Sequence, residues 1–259
     1  MRVSAVGFLN AAPLCWGLRE GHHPADWQVG FDAPSECARK LLAGEADLGL
    51  VPCAVFAQTP DLVMAAPLCV AAAGEVTSVL LVCGGPLEEV GEVLLDPASR
   101  TSQALSRLLL ERYRGLKPGY AEWRELPAAL RPGQALLVIG DRALGLPPAL
   151  EGLPRLDLAA EWVRATGLPF VFAAWAVRDT AVREAARPVL LDSYARGRER
   201  LREIAAEAAE QGMAPAQAEE YLRNHLHYTF GRREAESLSR FLREAFGWEM
   251  NRGCLDVAP

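Results

Sequence analysis

Short apolar runs bounded by Gly or Pro alternate with helix-like patterns through the first two-thirds of the chain. "RVSAVGF" (residues 2–8) reads as a first strand, Val3 to Phe8, entering a loop. "DAPSECARKLLAGEADLGLVP" (32–52) reads as helix, stop and strand. Asp32 is placed to cap that helix, Pro34 suits its first turn and Gly44 its end, and Cys37, Ala38, Leu41 and Leu42 share one face. "TSVLLVCG" (77–84), "EVLLD" (92–96), "QALLVIGD" (134–141) and "GLPFVFAAWAVR" (167–178) are further strands. Such alternation predicts a mainly parallel sheet covered by helices on both faces. From Asp179 onward the pattern changes to three helices. "AEEYLRNHLHYTF" (218–230) puts Tyr221, Leu222, His225 and Leu226 on one face, with His225 as a satisfied residue of a packed surface. "ESLSRFLREAF" (236–246) does the same with Leu238, Phe241, Leu242, Ala245 and Phe246.

At 259 residues the chain suits one large α/β domain or two smaller ones, and 51% hydrophobic residues place it among globular proteins. The net charge of −6 argues against nucleic acid or an anionic membrane as a general partner. The six cysteines (15, 37, 53, 69, 83 and 254) form no Cys-x-x-Cys and have no His at ligand spacing. They read as small buried hydrophobes in a reducing cytoplasm, not as zinc ligands. The N-terminal apolar run is broken by Asn10 and Pro13, and Leu14 before Cys15 is not the small residue of a cleavage site. No segment approaches the ~20 apolar residues of a membrane span.

One stretch carries more polar groups than a fold needs. In "LLDPASRTSQALSRLLL" (94–110), Ser99, Arg100, Thr101 and Ser102 crowd the start of a helix behind a strand. One of them suffices as a cap, worth ~1 kcal/mol. Free N–H groups, hydroxyls and a guanidinium together are the donor set of an anion site.

The pattern Leu41-x-x-Gly44-x-x-Asp47-Leu48-x-Leu50-x-Pro52 resembles the periplasmic-binding-protein type II fold, which implies two α/β lobes around a central ligand cleft. On that resemblance the chain crosses between lobes near Val82–Gly85 and Ala173–Ala176. Lobe one is then residues 1–83 and 175–259, with the C-terminal helices, and lobe two is 84–174. The blocks "FLNAAPL", "TSVLLV", "DPASRTSQALSRLLL", "LLVIGDRAL" and "DLAAEWVRATGLPFVFAAW", in this order, are similar to the chorismate dehydratase family of the futalosine route to menaquinone. The resemblance runs from about residue 3 to 178. It implies a cytoplasmic hydro-lyase that converts chorismate to 3-[(1-carboxyvinyl)oxy]benzoate without metal or organic cofactor.

What the resemblance implies for the site is specific. Asn10, in the loop after the first strand, and Ser78, in "TSV", are the leading catalytic candidates. Ser99, Arg100, Thr101, Ser102, Gly140 and Thr166 are candidates for holding the substrate, although Thr166 and Gly167 also suit a plain turn. Asp141 reads equally as a base and as the cap of the next helix. The family's Thr after Asn is Ala11 here, and Cys53 stands where a Ser is common. All four His (22, 23, 225 and 227) lie outside the matched blocks. A base on the protein is therefore not evident, and the enolpyruvyl carboxylate of chorismate is the expected proton acceptor. Three rival readings share the fold. A transport solute-binding protein for a small carboxylate needs export, a regulator's sensing domain needs a DNA-binding segment, and 1,4-dihydroxy-6-naphthoate synthase is expected to place a His in the cleft.

Overall fold

The computed structural model describes residues 1–211 and 213–248. The chain opens with β1 (Arg2–Val6), α1 (Ala12–Arg19), β2 (Gln28–Asp32), α2 (Pro34–Leu42), β3 (Leu48–Pro52) and β4 (Val63–Ala72). It continues through β5 (Val79–Cys83), β6 (Glu92–Leu95), α3 (Arg100–Leu108), β7 (Gly119–Glu122) and β8 (Gln134–Ile139). Two one-turn helices, α4 (Asp141–Leu144) and α5 (Pro148–Glu151), precede β9 (Arg155–Asp157) and α6 (Leu158–Thr166). Then come β10 (Phe170–Val177), α7 (Thr180–Glu199), α8 (Leu201–Glu207), α9 (Pro215–Glu220), β11 (His227–Thr229) and α10 (Arg232–Phe246).

The strands form two sheets. The first has the order β11-β4-β10-β3-β1-β2, the second β7-β6-β8-β5-β9. Each is mixed, not mainly parallel. β1 runs parallel to β2 and β3, while β10 is antiparallel to both β3 and β4. In the second sheet β6 runs parallel to β7 and β8, while β5 is antiparallel to β8 and β9. β5 and β10, which run against their neighbours, each follow a passage from one sheet to the other, whereas β11 is antiparallel to β4 at the edge of the first sheet without one. Those passages occupy residues 73–78 and 158–169. The crossings expected at Val82–Gly85 and Ala173–Ala176 fall instead in or just after β5 and within β10. Apolar runs mark strands but not the sheet that each joins.

A single carboxylate fastens both passages. Asp157 Oδ2 accepts the N–H groups of Val76 and Thr77 at 2.9 and 2.7 Å. Its Oδ1 caps α6 by accepting from Ala159 and Ala160, both at 3.0 Å. Thr77 is held at φ 59°, where a β-branched residue is strained by ~1–3 kcal/mol.

Packing explains several departures from the expected pattern. Asp32 ends β2 and Ala33 caps α2, because the Asp32 carboxylate is taken by Ser4 Oγ and Lys40 Nζ, each at 2.7 Å. The C-terminal part holds more helices than the three expected. Its "HYT" segment forms the edge strand β11 on β4, where Tyr and Thr suit a pleated surface better than a helix. Phe246 stays partly exposed, while Leu238, Phe241 and Leu242 are buried beside Trp162 and Phe170. Five cysteines are free and buried, as expected, and Cys254 lies outside the described residues. No helix among the described residues is long and apolar enough to cross a membrane.

α1 and α7 approach closely enough to exclude side chains. A Cβ on Gly17 would lie 2.6 Å from Ser193 Cα, and one on Gly197 only 2.0 Å from the Pro13 carbonyl oxygen. Ser193 Oγ bridges the same crossing by donating to the Leu14 carbonyl at 2.8 Å and accepting from Leu18 N–H at 3.2 Å.

Candidate active site

A small, partly enclosed cavity opens between the two sheets. From the first sheet come Val6 at the end of β1, Leu50 and Pro52 of β3, Val70 of β4 and Phe172 and Ala173 of β10. Val79, Ile139 and Gly140 come from the second sheet, and Ser99 and Ser102 from the start of α3. Strand ends and a helix N-terminus are where α/β sheets present ligand-binding groups. Among the described residues that line it there is no carboxylate, imidazole, amine or guanidinium. It is an apolar chamber with a few fixed polar groups, as small-molecule sites usually are.

Those polar groups differ in what they have to offer. Asn10 sits in a helical turn, Leu9–Ala11, and its buried Oδ1 has no hydrogen-bond partner. An unsatisfied buried acceptor costs free energy until something donates to it. Ser99 is the N-cap of α3: its Oγ accepts Ser102 N–H at 3.1 Å and donates to Ser102 Oγ at 2.9 Å. Ser102 therefore accepts from Ser99 and keeps its own proton to donate. The dipole of α3 adds positive potential at the same place.

Other candidates stand elsewhere. Thr101 is buried with its Oγ1 accepting Ala54 N–H at 3.1 Å, a bond that ties α3 to the turn after β3. Arg100 is exposed and donates to Gln58 Oε1 at 3.3 Å, so the structure does not bring its guanidinium to the cavity. Thr166 is the last residue of α6, donating to the Trp162 carbonyl at 2.7 Å and accepting from Leu168 N–H of the following turn at 3.1 Å. Ser78 is fully buried beside the chamber: its carbonyl accepts Gly140 N–H at 2.8 Å, and the next residue, Val79, lines the wall. On its far side Thr77, Asp157, Tyr221 and His225 line a second, more open hollow. His225 thus borders that hollow, with its Nδ1 2.9 Å from the Glu75 carbonyl oxygen.

Gly140 and Asp141 join the two sheets across the chamber. Gly140 has φ 64°, and a Cβ there would meet the Phe8 ring at 2.9 Å. Asp141 is the first residue of α4, whose cap is Gly140. Its Oδ1 accepts Leu9 N–H at 3.3 Å and it borders an adjoining groove with Phe8, Pro97 and Arg142. Arg142 is committed to the buried Asp96, at 3.1 Å, and lies over the Trp123 ring. Asp96 also accepts from Ala98 and Ile139 N–H groups at 2.9 and 3.2 Å, which holds the turn before α3 against the end of β8. The spacing of Asp96 showed only a strand end, and that of Tyr221 only a place on a packed helix face.

Burial pushes the carboxyl of Asp141 up, against the Leu9 N–H and the Arg142 charge. A carboxyl raised on folding contributes stability that is full below the unfolded value of about 3.9 and is lost as pH rises through the folded value. Asn keeps the acceptor for Leu9 but does not titrate. Urea unfolding should therefore show wild type losing stability relative to Asp141→Asn between pH 4 and pH 7. An unchanged difference at the two pH values would refute the linkage.

A family model described as menaquinone biosynthesis matches residues 1–246. A chorismate dehydratase of Thermus thermophilus is 34% identical over 240 residues, covering 85% of this chain and 86% of that protein. Among solved structures, a protein of Archaeoglobus fulgidus superposes with a TM-score of 0.75 at 18% identity, over 95% of this chain and 97% of that one. The periplasmic aliphatic sulphonate binding protein of Escherichia coli gives 0.58 at 17% identity, over 93% and 85%. A Candida albicans protein with the generic periplasmic binding protein fold gives 0.56 at 9% identity, over 100% and 98%. These structural likenesses speak for the two-lobed periplasmic-binding-protein-like α/β fold.

Proposed function

This chain belongs to the menaquinone biosynthesis family, and from that premise we infer that it is a chorismate dehydratase, a hydro-lyase that yields 3-[(1-carboxyvinyl)oxy]benzoate. The observation that carries the mechanistic reading is the chamber's lining, which offers donors and apolar walls but no acid–base side chain. The lobes of this reading follow the two sheets, with the substrate between them.

The substrate supplies the missing base. The ring C–H beside the ether oxygen is γ to the ring carboxylate through a double bond. Its proton passes to the enolpyruvyl carboxylate of the same molecule. The electron pair moves through the double bond onto the ring carboxylate, then returns to expel the neighbouring hydroxyl. Hydroxide and the proton leave as water, and the ring becomes aromatic. Ser102 and the first N–H groups of α3 hold the ring carboxylate, where the charge develops, so they bind the transition state more strongly than the ground state. Asn10 faces the leaving hydroxyl. Phe8, Phe172 and Ile139 exclude water, which strengthens each of these contacts.

Purified protein incubated with chorismate should form an aromatic product lighter by one water, followed by ultraviolet absorbance and mass spectrometry. Binding of chorismate with no such product would sink the dehydratase reading in favour of a solute-binding role. Two serine variants separate capping from binding. Ser99→Ala should lower stability by ~1 kcal/mol through the lost cap. Ser102→Ala should weaken chorismate binding by roughly ten- to a hundredfold, as a lost hydrogen bond to a charged group does. Calorimetric titration and thermal melts on both variants test this, and equal affinities in wild type and Ser102→Ala would exclude the anion site.

A further inference from the structure

Three irregular features meet at Ser78. Thr77, before it, has a positive φ of 59°, held by the Asp157 carboxylate. Opposite it, the chain after α9 widens into a π-helical turn, Tyr221–His225. Such turns concentrate at functional sites. Between them, Tyr221 Oη donates to Ser78 Oγ at 2.7 Å, with both side chains buried. The Tyr221 ring also stacks on His225, with centroids 6.5 Å apart.

We propose that Tyr221 is a positioning residue for Ser78, holding its hydroxyl so that the Ser78 proton is free to be donated to the substrate. The proposal rests on the dehydratase reading. A serine oxygen that accepts from Tyr221 cannot direct its own proton back to that oxygen donor, so the proton turns elsewhere. Ser78 is already fastened through its carbonyl to Gly140 on the chamber wall. Burial pushes the phenol of Tyr221 up, which keeps it a neutral donor. Ser78 then acts as a fixed donor to the substrate oxygens as their charge develops. Tyr221 itself borders the second hollow and acts only through Ser78.

The test is a double-mutant cycle in steady-state kinetics with chorismate. Ser78→Ala should lower kcat about 10²-fold, the usual loss for one fixed donor. Tyr221→Phe should lower kcat about tenfold with KM within about twofold, since only the orientation of a donor is lost. The double variant should be no slower than Ser78→Ala alone, because the two residues work as one unit. Tyr221→Phe with wild-type kcat, or a Tyr221→Phe loss repeated in full on the Ser78→Ala background, overturns the proposal. Should Tyr221→Phe fail to fold, 3-fluorotyrosine labelling strengthens the phenol donor at nearly the same shape. Labelling should then change kcat in wild type but not in Ser78→Ala, and an equal change in both overturns the proposal. Wild type inert to chorismate overturns the dehydratase reading, and this proposal with it. An active wild type with an unaffected Tyr221→Phe overturns this proposal alone.

Discussion

Asn10→Asp should reduce turnover of chorismate by about 10³-fold near neutral pH, while the protein remains folded. The change keeps the size of the side chain and places a carboxylate in a chamber whose lining holds no cation. Chorismate brings two carboxylates of its own. Like charges ~4 Å apart at an effective dielectric of about 20 repel by about 4 kcal/mol, which is three powers of ten in rate or affinity. The new carboxyl has a second option, because the same repulsion and burial favour its protonated form. Activity of Asn10→Asp should therefore recover partly as pH falls, whereas Asn10→Ala should be slow at every pH. A kcat/KM profile from pH 5 to 8 for both variants tests this. Wild-type activity in Asn10→Asp at pH 8 would remove Asn10 from the site.

Gly197→Ala should lower stability by about 3 kcal/mol, at the upper end of the usual cost of overpacking. For a chain of this size that corresponds to a fall in Tm of roughly 6–12 °C. The added methyl would lie 2.0 Å from the Pro13 carbonyl oxygen and 2.8 Å from its carbonyl carbon. Both are backbone atoms, so no rotamer change relieves the overlap, and α1 and α7 must separate. Pro13 is three residues past Asn10, so the separation should also displace Asn10 and lower kcat. Gly152 provides the contrast: it has αR geometry and nothing within 4 Å of an added Cβ. Gly152→Ala should leave stability unchanged or raise it by up to about 1 kcal/mol through the unfolded state. Calorimetry on the two variants should thus give shifts of different sign or size, and equal melting temperatures would contradict the close packing of α1 on α7.

Much of this was legible because it is local. Runs such as "QALLVI" and "FVFAAWAV" between Gly and Pro announce buried strands, and Ser99 announces a cap because its partner is three residues away. The donor-rich turn at Ser99–Ser102 also pointed to the chamber, although Arg100 turns to Gln58 and Thr101 to Ala54. Those partners lie 42 and 47 positions away, beyond any periodic signal. Strand direction was not legible, since β10 is antiparallel only because the chain re-enters the first sheet from the second. The hold of Asp157 on Val76 and Thr77 spans 81 and 80 positions and depends on the sheet packing. Tyr221 and Ser78 are 143 positions apart, and an amphipathic stripe marked Tyr221 only as a core residue.

The place of β10 also determines the order in which the molecule is assembled during synthesis. β3 and β4 are close in sequence, yet β10 lies between them in the finished sheet. A nascent chain that has emerged only as far as the second sheet therefore carries two apolar strands with unpaired edges. The second sheet draws its strands from residues 79–157 alone and has all of them before Phe170 appears. The first sheet closes only when β10 enters between strands made about a hundred residues earlier, a step with a high loop-closure cost and a slow rate. Until then the edges of β3 and β4 are exposed to other chains, which makes this interval the one most prone to aggregation and most dependent on chaperones.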